Sequence, residues 1–168
     1  SEGWEAALEK FKPKSAKSKS PTIGEFIKIA SAHSTARSVS IEAYSKALRR
    51  IVAGVFGIGD GNRYNAAQGG ADEWRRRVDA VKLEKLTPAK VHKWQNGYIE
   101  ARSNPKDKQN ARKTVNSLVR NARALFAKKL ITFIHQDLEL PDVLPFEGIE
   151  MRKESSLRYQ SKIDAGKL

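Results

Sequence analysis

Apolar residues along this chain recur at helical spacing, and no convincing series of alternating strands interrupts them. The clearest case lies in Lys108–Gln136. There Val115, Leu118, Val119, Ala122, Leu125 and Phe126 fall at i, i+3, i+4, i+7, i+10 and i+11, one stripe at a period of about 3.6 residues. The stripe loses phase after Phe126. Lys128-Lys129 therefore marks a break, and Leu130, Ile131, Phe133 and Ile134 start a further short helix. At about 100° per residue, Asn116, Arg120 and Arg123 share a different face, roughly 120° from the centre of the stripe. That face is expected to stay wet.

Other helices announce themselves by their ends. Thr22 with Glu25 matches a capping box, and Ile23, Phe26, Ile27 and Ala30 carry that helix to about Ala32. The Ser-rich stretch His33–Val39 reads as a turn. A second helix from near Ser40 has Ile41, Tyr44, Ala47 or Leu48, Ile51, Val52 and Val55 on its apolar side and stops at Gly57, Gly59 and Gly61. After a polar loop, Asn65–Gly70, the residues Trp74, Val78 and Val81 predict a helix over Ala71–Val81. Thr87 as N-cap, with Pro88 in the first helical position, starts the next one, which buries Val91, Trp94, Tyr98 and Ile99 and turns Lys90, Lys93, Gln95 and Arg102 outward. Trp74, Trp94 and Tyr98 could serve as base-stacking platforms, but their helical spacing reads as core. Ser103-Asn104-Pro105 stops it, and the long basic helix begins between Lys106 and Thr114. Pro141, Pro145 and Gly148 exclude a regular helix from Leu138–Met151, whose apolar residues predict an extended segment packed on the bundle. The fold class is all-α, a bundle of four to six short helices. Residues 1–21 form a short helix (Trp4, Ala7, Leu8, Phe11) and a basic linker, 22–136 the helical domain, and 137–168 an extended segment and a further linker.

Charge changes this picture. The chain has 168 residues with 32 Lys and Arg against 19 Asp and Glu, a net charge of +13. Nucleic acid is the commonest partner for such an excess and an anionic membrane the second. No apolar run approaches the roughly 18 residues needed to span a bilayer, and no signal peptide is visible. Surface attachment to a membrane would need apolar residues exposed opposite the cations, whereas these stripes read as bundle core. Cysteine is absent, so there is no disulfide framework or thiolate site, and His33, His92 and His135 are too scattered for a metal. The expected location is cytoplasmic, either bacterial and nucleoid-associated or phage-encoded. No cofactor or small-molecule ligand is expected.

Catalytic spacing is missing too. Glu25, Glu42, Asp79, Glu84 and Glu100 are scattered over helix exteriors, and no HxxxH, GxSxG or paired-carboxylate motif occurs. Gly57–Asn62 lacks the preceding strand and the Gly-Lys-Ser/Thr helix start of a phosphate loop, so it reads as a helix stop.

Binding residues, by contrast, are plentiful. Lys108–Gln136 holds seven basic residues and no acid. Asn116, Arg120 and Arg123 are candidate base readers, since Asn can bind adenine and Arg guanine bidentately. Lys106, Lys108, Arg112, Lys113, Lys128 and Lys129 are candidate phosphate clamps. Lys90, Lys93 and Arg102 on the preceding helix, and Lys46, Arg49 and Arg50 on the one from Ser40, add two further basic faces. Each set taken alone reads more readily as a solvated helix face. The partner expected from all three is double-stranded DNA, with Lys90, Lys113, Arg120 and Arg123 on one exposed face. Lys12, Lys14, Lys17 and Lys19 sit in plain linker composition that would also suit an arm along phosphates. The alternative is a basic helical module that binds protein or RNA.

The order of motifs resembles the N-terminal core-binding, SAM-like domain of tyrosine recombinases, the phage integrase family. The matching residues are Thr22-Ile23-Gly24-Glu25-Phe26, Ser40-Ile41-Glu42-Ala43-Tyr44 leading to Leu48-Arg49-Arg50-Ile51, Leu86-Thr87-Pro88-Ala89-Lys90-Val91 with Trp94, and Thr114-Val115-Asn116-Ser117 leading through Arg120 to Ala122-Arg123-Ala124-Leu125-Phe126. Ser156-Leu157-Arg158-Tyr159 with Ile163-Asp164 is similar to the family's linker. The resemblance covers the chain from about Thr22 onward, and the stretch Gly57–Gly70 is longer than the family's usual loop. It implies a helical module that closes over one side of a recombination-site duplex for DNA integration or recombination. Protomers would self-associate on the DNA. The catalytic domain, with its arginines and nucleophilic tyrosine, would follow this chain. Tyr159, in a polar tail, is not that nucleophile, and this part of the protein is expected to have no activity of its own.

Overall fold

The computed structural model describes residues 20–59 and 70–154. The helix expected around Trp4–Phe11, the Lys12–Lys19 arm, residues 60–69 of the glycine-rich loop and the linker motif at Ser156–Asp164 lie outside the described residues. The architecture is all-α. Among the described residues, six α-helices and one 3-10 turn follow in order: α1 Ile23–His33, α2 Ser38–Phe56, α3 Gly70–Asp79, the turn Leu83–Lys85, α4 Pro88–Glu100, α5 Pro105–Ala124 and α6 Lys128–Asp137.

The helix ends form for local reasons. At α1 both halves of the capping box are made: Thr22 Oγ1 accepts from Glu25 N–H at 3.1 Å, and Glu25 Oε2 accepts from Thr22 N–H at 3.2 Å. Helix α2 closes on Gly57, whose φ of 65° is left-handed and strained for any residue with a side chain. Thr87 caps α4 ahead of Pro88, as expected. Helix α5 begins earlier than its apolar stripe suggests, because Asn104 and Pro105 repeat the Thr87-Pro88 arrangement. The Asn104 side chain accepts from Asp107 N–H at 2.8 Å. Leu125–Ala127 breaks α5 from α6, close to the expected position.

The most extensive helix packing runs between α2 and α5, with α4 laid against both and α1 packed on α3 and α6. Leu48, Ile51 and Val52 of α2 and Val115, Val119 and Ala122 of α5 are fully or almost fully buried along this seam. Backbone bonds from Ile23 N–H to Val81 O (2.8 Å) and from Leu83 N–H to Pro21 O (2.9 Å) tie the start of α1 to the stretch after α3. Past α6 the chain forms no regular helix, but it is not the extended run expected: it turns over Pro145–Gly148, where Glu147 N–H bonds to Leu144 O and Ile149 N–H to Phe146 O (both 3.2 Å), and buried Leu138, Phe146 and Ile149 anchor it. No helix among the described residues is long and apolar enough to cross a membrane.

Candidate nucleic-acid interface

The final described segment, Ile149–Glu154, runs as a strap along α4 and α5 and is held through its main chain. Arg123 Nη2 donates to the Ile149 carbonyl, and Gln95 Nε2 donates to the Glu150 carbonyl at 3.3 Å. Asn116 clasps Arg152 from both sides: its Oδ1 accepts from Arg152 N–H at 2.8 Å, and its Nδ2 donates to Arg152 O at 2.7 Å. The same Nδ2 donates to Glu154 Oε1 at 2.6 Å. The Arg152 guanidinium reaches back to Gln95 Oε1 at 3.2 Å and to His92 Nδ1 at 3.1 Å. Gln95 and Asn116 are 0% and 1% exposed, so both are polar groups whose burial depends on these bonds.

This corrects the expected wet face. Asn116 is not a surface base reader, and Arg123 is half-buried on a carbonyl of its own chain. The paired donor and acceptor that let an Asn side chain bind adenine also match the N–H and C=O of one residue of extended main chain. Arg120 alone of the three candidate readers remains exposed.

The other candidates divide by partner. Arg49 forms a two-point ion pair with Asp79, Nε to Oδ1 at 2.8 Å and Nη2 to Oδ2 at 3.0 Å, which fastens α2 to α3. With side chains only 17% and 25% exposed, this pair is a structural clamp and not a phosphate contact. Arg49→Ala should therefore cost about 1–2 kcal/mol of stability, discounted for partial exposure. A melting curve should show that loss. Lys46 is exposed and pairs with Glu42 at 2.9 Å, and its hydrogen bond and charge hold the Glu42 carboxyl below the usual carboxylate range. Lys108 pairs with Glu100 at 3.1 Å, Arg112 donates to Gln109 Oε1 at 3.3 Å, and Arg102 stacks 4.8 Å from the Tyr98 ring centroid.

Lys93, Lys106, Lys113, Arg120, Lys128 and Lys129 are exposed and have no acidic partner among the described residues. Lys106, Lys113 and Arg120 stand seven residues apart on α5. At about 1.5 Å per residue and a drift of about 20° per heptad, they form a ridge roughly 21 Å long. Lys128 and Lys129 open α6 just past the C-terminal end of that helix. Lys90 and Lys93 do not join the ridge: with Trp94 they line a cleft against the end of α2, and Lys90 Nζ lies 5.2 Å from the Phe56 ring centroid. Gln95, on the strap side of α4, is turned roughly 140° from Lys90 around the helix. The single face expected for Lys90, Lys113, Arg120 and Arg123 is thus two separate basic surfaces, with Arg123 committed to the strap.

Sequence reasoning missed Gln95 and Arg152. Gln95 was expected on the outward side of α4 with Lys90, Lys93 and Arg102, yet it is fully buried, because the strap lies over it and its amide bonds to Glu150 O. Among the described residues no group of three or more His, Asp and Glu side chains converges to hold a metal ion. No protein-family model, curated protein or solved structure matches the chain.

Proposed function

We propose that this chain is a DNA-binding module that grips a duplex through phosphates, the role implied by its resemblance to the core-binding domain of tyrosine recombinases. The observation that carries the reading is the ridge of Lys106, Lys113 and Arg120, three exposed cations without acidic partners among the described residues. Asp107 is the only acid within α5, and it is engaged by the Asn104 cap. Lys128 and Lys129 add to this. They occupy the first turn of α6, where the helix dipole is positive and the Ala127 N-cap supplies no side-chain acceptor. Each cation there costs about 0.3–1 kcal/mol, and a bound phosphate would relieve that cost. Arg120 is the one candidate reader left at the surface, so affinity should rest on phosphate more than on base identity. In a recombinase, such a module would hold the attachment-site duplex while a separate domain performs strand exchange.

The test is duplex binding by this chain at several salt concentrations, with candidate attachment-site DNA set against random DNA. If about six phosphates are neutralised, the log–log salt slope should lie near −5, and Lys113→Ala with Arg120→Ala should flatten it by about 2. Affinity that hardly changes between low and moderate salt would remove the phosphate-grip reading. Equal binding of attachment-site and random duplexes would remove the site-specific part of it.

A further inference from the structure

The cleft between the last turn of α2 and the side of α4 is lined by Gly54, Val55, Phe56, Lys90, Lys93 and Trp94 and has a volume of about 400 Å³. It is a built feature. A Cβ at Gly54 would lie 2.3 Å from Trp94 Nε1 and 2.8 Å from its Cδ1, so only glycine lets the indole rest directly on the helix backbone. The lining is mainly apolar, with two partly buried aromatic rings and two exposed lysines at the rim. No Asp or Glu among the described residues lines it. The neighbouring concavities differ in this respect: one includes Glu42, another Asp107, and a third Glu84, Glu139 and Asp142. Nothing in the duplex grip along α5 uses Phe56 or Trp94.

We propose that this cleft takes an unpaired nucleobase of single-stranded or locally opened DNA. The base would stack against Phe56 and Trp94 as the Lys90 ammonium, which lies 5.2 Å from the Phe56 centroid, swings out to meet a flanking phosphate beside Lys93. Every base has a π-face, so aromatic stacking tolerates any sequence, and lysines beside the rings supply the charge that a nucleic-acid strand needs. A cleft of a few hundred Å³ is large enough to enclose a small flat ligand. The inference rests on the DNA-binding reading and adds a second, structurally separate contact to it. A duplex opened or bent on the protein could then be held on both surfaces at once.

The experiment measures binding of the whole chain to three fluorescent oligonucleotides: a paired duplex, the same duplex with one unpaired base, and a single strand. The unmodified chain should bind the duplex with the unpaired base about tenfold more tightly than the paired one. Phe56→Leu, which keeps apolar bulk and removes the ring, should weaken binding to that bulged duplex and to the single strand by about 5- to 100-fold. Paired-duplex affinity should hold. Circular dichroism checks that Phe56→Leu still folds, and Lys93→Gln, an exposed change, should weaken the same two probes without touching the core. If the chain binds paired duplex with a steep salt slope but shows no preference for unpaired bases and no effect of either variant, the cleft proposal fails while duplex binding stands. If no probe binds, both fail. If an acidic, aromatic-containing peptide binds in a Phe56-dependent way and opened DNA does not, the cleft is a protein site and the proposal is overturned.

Discussion

Phe26→Ala is expected to destabilise the fold by about 3–5 kcal/mol, the usual cost of emptying a buried aromatic site. Phe26 is 0% exposed and stacks on Phe126 with centroids 4.4 Å apart and planes 16° from parallel. Phe126 in turn meets Phe146 edge-on at 5.4 Å. The three rings belong to three segments: Phe26 to α1, Phe126 to the break between α5 and α6, and Phe146 to the extended stretch after α6. Removing the first ring therefore leaves a void whose walls come from distant parts of the chain and cannot close together. At roughly 3 °C per kcal/mol for a domain of this size, the melting temperature should fall by roughly 10–15 °C. Phe133→Ala is the matched control. That ring is 52% exposed and, among the described residues, stacks on His33 alone, so its loss should cost below about 1 kcal/mol. A Phe26→Ala protein melting within about 3 °C of the parent would mean that this aromatic junction does not hold the segments together.

How far such a junction can be read from sequence depends on the range of the interaction. Thr22 with Glu25, Thr87 with Pro88, and Gly57 act within a few residues, and all three form the ends their chemistry requires. Asn104-Pro105 carries the same start signal as Thr87-Pro88, yet a proline after a helix also reads as a stop. Both meanings hold at that position, since α4 ends and α5 begins there. Stripes such as Val115 to Phe126 show which side of a helix is apolar. They do not show whether the polar side faces water or a peptide. Arg49 looked like a surface cation because its partner, Asp79, lies thirty residues away on another helix. The absence of a regular helix after α6 was legible from the prolines, but the turn over Pro145–Gly148 and the polar register of the strap on Gln95 and Asn116 were not. A main chain offers the same donors and acceptors whatever its sequence, so no residue pattern marks where it docks.

Asn116→Ala tests the clasp role of this side chain against the base reading expected from the sequence. As the clasp of the strap, Asn116 satisfies the N–H and C=O of Arg152 and meets Glu154, and its loss leaves those groups without partners. Each stranded group costs about 1–3 kcal/mol if it stays buried. The strap can instead lift away and hydrate its main chain, so the total is capped by the free energy that docks it. An overall loss of about 2–3 kcal/mol is expected, together with a local signature. Hydrogen exchange at the Arg152 amide should accelerate towards the rate of an open segment, while amides in the α2–α5 core, such as those of Ile51 and Val119, should change only by the global loss. Gln95 and Arg123 would still hold Glu150 and Ile149, so Asn116→Ala with Gln95→Ala should free a longer stretch than either change alone. Duplex selectivity should be unaffected, because a side chain 1% exposed beneath the strap cannot reach a base edge. The opposite pattern, unchanged exchange at Arg152 with a lost preference at one base position, would return Asn116 to base reading and require the strap to leave the helices when DNA binds.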